Sequence, residues 1–212
     1  MLTDVAGKTA VSAGDFFICM NGHTAGTLNV TKTAKLNIID GKITGTVTVA
    51  KTASLSASVL GFLGTVNDNG SMGSFINCVF DKALNARGSH TNLNSCTVNG
   101  TLTVSGSEVT LNASTVSGKI TVNNGGLLRF MGNGCECGEM LVKSGGAVEV
   151  YSGDHSFSGT ITAEPESKLT LSGGSYSEMA AQSDAELTIS GGKFTHITVN
   201  GQHLIDCLAE GK

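Results

Sequence analysis

The sequence predicts an all-β chain, a single-stranded right-handed parallel β-helix of about ten coils of 18–21 residues with end caps. Three observations carry this. Apolar anchors recur at Leu28, Val47, Val66, Leu84, Leu102, Ile120, Met140, Ile161, Met179 and Ile197, at intervals of 18 to 21 residues. A fixed period of this length marks a solenoid. Apolar residues alternate within each unit, as in Leu102/Val104 and Ile120/Val122, which is the period of strands. Gly, Asn and Ser punctuate the units, as at Asn99-Gly100, Ser117-Gly118 and Asn124-Gly125-Gly126. These residues accept positive φ or bond back to the chain, and so form corners.

Each coil is expected to hold three short strands. A strand of four to six residues cannot bury an apolar face alone. Stacked in parallel about 4.8 Å from its copy in the next coil, it can. The first strand carries the anchor and the apolar residue two positions later. The second carries pairs such as Leu36/Ile38, Leu128/Phe130 and Leu169/Leu171. The third carries Ile43, Phe62, Phe80, Val98, Val116, Phe157, Tyr176 and Phe194, three or four positions before the next anchor. The right hand follows from the general preference of parallel crossovers. Between residues 66 and 96 the anchors keep their spacing, but Asn67-Asp68-Asn69-Gly70 and Asn85-Ala86-Arg87-Gly88 blur the second strand.

The domain reading is one β-helix over 1–212, with an N-terminal cap and first coil over 1–26, coils over 27–201 and a C-terminal cap over 202–212. At the front, Phe16-Phe17-Ile18 is the bulkiest run and should plug the end of the rod. At the back, His203 to Ala209 leaves the strand pattern and reads as a short helix or turn covering the last edge.

Composition narrows function. The 212 residues hold 29 Gly, one Pro and no Trp, with 14% charged and 40% hydrophobic residues, which is not the profile of a disordered chain. The net charge of −4 without a basic run argues against a nucleic-acid surface. No run of 18 apolar residues suggests a membrane span. The first residues show no basic or apolar leader.

The phrases ITVNNGGLLRF (120–130), MLVKSGGAVEV (140–150) and ITAEPESKLTL (161–171) resemble repeats of self-associating autotransporter adhesins, and more loosely those of filamentous-haemagglutinin-type adhesins. SGGSYS (172–177), SGGKFTHITVNG (190–201) and LIDCLAEGK (204–212) resemble SGG-x-F repeat proteins of gut bacterial surfaces. The resemblance implies a right-handed β-helix, an extracellular or cell-surface location, and a segment of an exported protein. It brings no catalytic residues. This chain departs from it in its six cysteines, its broken Gly-Gly pairs and the lack of a membrane barrel for secretion.

The expected function is therefore a non-catalytic structural or adhesive rod, needing no cofactor. Its partners would be itself, through a side face, or host or cell-surface glycans or proteins. The interaction-face candidates are outward residues beside the anchors: Thr46, Thr48, Thr101, Thr103, Thr121, Thr160, Thr162 and Thr198. A flat threonine array can also bind ice, but Lys119, Glu139, Leu141, Glu178 and Ala180 interrupt it, and Thr suits exposed strands in any case. A carbohydrate-active β-helix enzyme, a polysaccharide lyase or hydrolase, is the other alternative. It needs clustered acids and sugar platforms. Glu136, Glu139 and Glu149 are the nearest candidates, without a recognisable base partner.

Cys135, Cys137 and Glu139 form the densest group of metal-ligating residues. A single C-x-C lacks the second pair of a zinc site, so a turn with a core-facing cysteine is favoured. Cys78 and Cys96 are one coil apart and should stack as buried free thiols. Asn67-Asp68-Asn69-Gly70 has only part of a calcium-loop pattern and reads as a solvated turn.

Overall fold

The computed structural model describes residues 4–200 and 202–204. Its 24 strands form one continuous sheet, wound into a β-solenoid of about ten turns. Three parallel ladders run its length. The first holds the anchors, in short segments such as Leu84–Ala86, Leu102–Val104, Ile120–Val122 and Met140–Val142. Leu102 pairs with Ile120, and Ile120 with Met140, in unbroken register. The second ladder stacks His90–Asn94, Glu108–Asn112, Leu127–Met131 and Ala147–Val150. The third stacks two-residue strands, Val79–Phe80, Thr97–Val98, Thr115–Val116 and Glu136–Cys137.

The core is the sum of the inward columns. Leu102, Val104, Ile120 and Val122 are fully buried. The third ladder adds aromatic stacks: Phe62 on Phe80 with centroids 4.9 Å apart, and Phe157, Tyr176 and Phe194 in series at 4.7 and 4.5 Å. Such contacts add about 0.5–1.5 kcal/mol each to area burial. Cys137 fills the place in this column between Val116 and Phe157.

One corner uses the same device in coil after coil. Asp40, Val59, Asn77, Ser95, Ala113 and Gly134 all have positive φ, between 46° and 75°. The chain turns there, and the next residue points inward: Leu60, Cys78, Cys96, Ser114 and Cys135 are buried. Cys96 donates its thiol hydrogen to the Phe75 and Asn94 carbonyls at 3.3 and 3.4 Å, and Ser114 Oγ serves the equivalent Leu93 and Asn112 carbonyls at 3.1 and 2.9 Å. A small S–H or O–H at this place gives the corner carbonyls a further donor, and those of Asn94 and Asn112 also accept the Asn77 and Ser95 amides.

The coils from 66 to 96 are as regular as the rest. Met72–Ile76 pairs with Ser54 to Ser58 and with Thr91 to Asn94. The reading of Asn67-Asp68-Asn69-Gly70 as a solvated turn is overturned. Asn67 and Asp68 lie in the strand Val66–Asp68, and Asp68 stands fully buried between Val49 and Ala86. Its carboxylate accepts from Thr91 Oγ1 at 2.8 Å and from the Gly70 amide at 3.1 Å. Gly73 makes the room, since a Cβ there would lie 2.0 Å from Asp68 Oδ2.

Both ends differ from expectation. Phe16 to Ile18 is not a plug but part of the strand Asp15–Cys19, paired with Lys35 to Ile39. Phe16 aligns with core residue Leu36, yet with no described coil beneath it remains 43% exposed, and outward Phe17 is 65% exposed. At the other end, Gln202–Leu204 is a strand, not a helix, and pairs antiparallel with Ile197 to Val199. Asn200 has φ 51° and precedes Gly201 in sequence, the combination favoured in two-residue hairpin turns. The rest of the expected C-terminal cap, 205–212, lies outside the described residues.

Candidate interaction face

The outward side of the first ladder carries the threonine candidates. The residue between the two inward positions of each segment points out. These residues form the column Thr48, Asn67, Asn85, Thr103, Thr121, Leu141, Thr162, Ala180 and Thr198. Thr103 and Thr121 are direct neighbours. Asn85 Nδ2 donates to Asn67 Oδ1 at 2.9 Å, so the amides link along the rod. Leu141 and Ala180 interrupt the polar run. All members are half-buried by the rungs on either side.

A second column precedes the inward anchors. Thr46 and Thr101 are exposed there, and Thr160 Oγ1 donates to Glu178 at 2.8 Å. Lys119 and Glu139, exposed in the same column, form an ion pair at 2.5 Å. Exposed pairs of this kind are worth about 0–1 kcal/mol. Their chemical effect is to occupy each other, so around them the face offers mainly hydroxyl and amide groups at a rung spacing of about 4.8 Å, with Glu178 a carboxylate bonded by Thr160.

The second ladder carries a denser charge ladder. Arg129 bridges Glu108 on one rung and Glu149 on the next, with Arg129 Nε 2.8 Å from Glu149 Oε2. Tyr151 donates to the same Glu149 oxygen at 3.1 Å, and His90 Nδ1 lies 3.6 Å from Glu108. The hydrogen bond from Arg129 holds the Glu149 carboxyl below the usual carboxylate range. Arg129 and Glu149 are one coil apart in the same column, but Glu108 occupies a column two residues away, so the spacing of the repeat does not announce the whole cluster. The three glutamates weighed as an acid cluster are not gathered on one ladder: Glu149 sits with Arg129, Glu139 with Lys119, and Glu136 beside Thr115 and Ser156 on the third ladder.

Cys135 and Cys137 face the core and are buried, while Glu139 is outside with Lys119. Burial pushes both thiols above their ordinary range. Among the described residues no three or more His, Cys, Asp or Glu side chains gather where they could hold a metal ion. Cys78 and Cys96 occupy equivalent places in successive coils, one residue before the pair Val79 and Thr97, and both are free. The neighbouring Cys96 thiol, reinforced by burial, raises the Cys78 thiol above its ordinary range. Cys19 is exposed.

This sets up a labelling prediction. In a Cys207→Ser variant at pH 7.5, a maleimide should modify Cys19 at once and the four buried thiols roughly a hundredfold more slowly, at the pace of local opening. Equal rates, followed by mass spectrometry of peptides, would contradict the burial of these columns.

Among the described residues no helix is long and apolar enough to cross a membrane. No family model matches the chain, and neither the curated proteins nor the solved structures contain a match for it.

Proposed function

We propose that the chain is a non-catalytic structural and adhesive rod of a bacterial cell-surface or secreted protein, and that it associates with copies of itself through a polar side face. The observation that supports this best is the outward column of the first ladder, where Thr103, Thr121 and the linked pair Asn67 and Asn85 present donors and acceptors rung after rung. Repeated weak hydrogen bonds give multivalent binding: one pair adds little, and many in register add up. The resemblance to self-associating adhesin repeats points the same way.

Sedimentation velocity across a concentration series tests the reading. The expected result is reversible association that changes little between 50 mM and 500 mM salt, since Lys119 and Glu139 already satisfy each other. A rod that stays monomeric at high concentration would remove self-adhesion and leave a passive stalk. Turnover of a polysaccharide, abolished by Glu139→Gln or Glu149→Gln, would overturn the non-catalytic reading altogether.

A further inference from the structure

The corner column contains one β-branched residue, the side-chain type that suits it least. At Asp40, Asn77 and Ser95 the left-handed conformation is taken by short polar residues that tolerate it. In the coil between Asp40 and Asn77 the place belongs to Val59, with φ 52°. For a β-branched side chain this is a steric outlier, costing about 1–3 kcal/mol. The strain is not offset by burial, because Val59 is 59% exposed. A strained, exposed apolar residue contributes nothing to the isolated rod.

Its neighbours are equally out of place. Leu63, Ile76 and Val79 are 38%, 43% and 40% exposed, on the same coil and the next. Gly61 lies between Lys42 and Val79 in the outward column of the third ladder. Lacking a side chain, it leaves a notch beside the Val59 knob, and the groove over this corner has a volume of about 520 Å³. Solvent-exposed apolar groups gathered this way, with polar groups around them, mark interaction sites.

The charges around the groove choose the partner. Lys42 and Asp40 stand on one rung and Asp81 two rungs further on, with Val59, Gly61 and Leu63 between. Lys42 has no ion-pair partner among the described residues, and Asp81 accepts only a neutral hydrogen bond from Asn99 Nδ2 at 3.0 Å. A two-fold axis along the Val59 rung runs the two copies antiparallel, lays Val59 against the other copy's Val59, and exchanges the outer rungs, so that each Lys42 comes to the rung of the other copy's Asp81 and each Asp40 to that of neutral Asn77. Isologous association requires such self-complementarity.

We propose that this corner, centred on Val59 and Gly61, is the contact through which two copies of the chain pair side by side in antiparallel fashion. The proposal rests on the reading that the rod self-associates, and moves the principal contact from the threonine face to an apolar patch that meets its own copy, with a charged rim. The apolar contact sets affinity, and the Lys42–Asp81 pairs set register and orientation.

The test is sedimentation velocity together with thermal melting on the whole chain. Val59→Asn relieves the strained corner and removes the knob. It should raise the melting temperature while weakening association by roughly tenfold or more. Lys42→Glu and Asp81→Lys should each weaken association, and the double variant should restore it. Thr103→Arg with Thr121→Arg should leave it within about twofold. If Val59→Asn is stabilised but associates like the parent, or if the double charge reversal fails to rescue, the proposal is wrong. If only the threonine variants abolish association, the corner is refuted while self-association stands. A monomeric parent would refute both. Should Val59→Asn fail to fold, Leu63→Ser on the opposite side of the notch provides the same readout without touching the corner.

Discussion

Ile120→Asp is expected to unfold the middle of the rod. Ile120 is fully buried and pairs with Leu102 on one side and Met140 on the other. The substitution removes about 1.5–3 kcal/mol of apolar burial and leaves a carboxyl group in a column of Leu, Ile and Met without a partner. A loss on the order of 4 kcal/mol or more at that rung follows. In a solenoid each coil is held by its neighbours, so the break spreads in both directions. Far-ultraviolet circular dichroism should show partial loss of β signal at 25 °C, with broadened urea unfolding. A native spectrum and an unchanged melt would contradict the columnar core. Thr121→Asp, one residue away but facing outward, is the control and should cost less than about 1 kcal/mol.

Acidification is expected to weaken the C-terminal coils selectively. His155 continues the corner column beyond Cys135 and is 99% buried, 1% of its surface being exposed. Neither ring nitrogen has a hydrogen-bond partner among the described residues, and the ring packs edge-on to Phe130 with centroids 6.1 Å apart. Burial pushes its pKa below the ordinary 6.5, opposed by the charge of neighbouring Asp154. The unfolded chain therefore binds a proton more readily than the folded one. Stability is complete above pH 6.5 and falls as the pH drops below it toward the depressed folded value.

Asp68 has the opposite sign. Burial raises its pKa above 3.8, with the hydrogen bonds from Thr91 and Gly70 opposing, so folding favours its protonated form. The coils around it are weakest when the carboxyl is ionised, and recover as the pH falls through the raised value toward 3.8. Between pH 7.5 and 5 hydrogen exchange, corrected for intrinsic rates, should thus lose protection around 131–176 and keep or gain it around 66–92. His155→Leu should flatten the C-terminal response, since Leu60 already fills an equivalent corner place. Uniform loss along the rod, or an unchanged response in His155→Leu, would contradict this account.

Much of the fold was legible because the physics that builds it is periodic. An inward column requires an apolar residue once per coil, so Leu102, Ile120 and Met140 announce their own pairing. The third ladder was legible for the same reason, except at Cys137, where a small residue occupies a place held from Ile43 onward by Ile, Val, Phe or Tyr. What hid was whatever broke the column. Asp68 in an amide-rich stretch looks like a turn, and only the space at Gly73 and the Thr91 hydroxyl make it a core residue. Arg129 and Glu149 share a column, but the link from Arg129 to Glu108 runs diagonally to the next column, so a search along one column finds only half of the bridge. Val59 looks unremarkable in a hydrophobic run, Ser-Val-Leu-Gly-Phe, until its backbone conformation is known. The N-terminal phenylalanines misled because their bulk suggested a plug. Their alternation, Phe16 and Ile18 inward and Phe17 outward, is that of an ordinary rung.

The stacked ladder itself is tested most directly by distances along the first ladder. Spin labels at Thr48 paired with Thr121, Thr162 or Thr198 sit four, six and eight rungs apart in one outward column. At about 4.8 Å per rung, backbone separations of about 19, 29 and 38 Å follow. Pulsed electron resonance should give three distances rising by nearly equal steps, with narrow distributions. Distances that fail to grow with rung number, or that place Thr198 nearer to Thr48 than Thr121 is, would contradict a continuous solenoid.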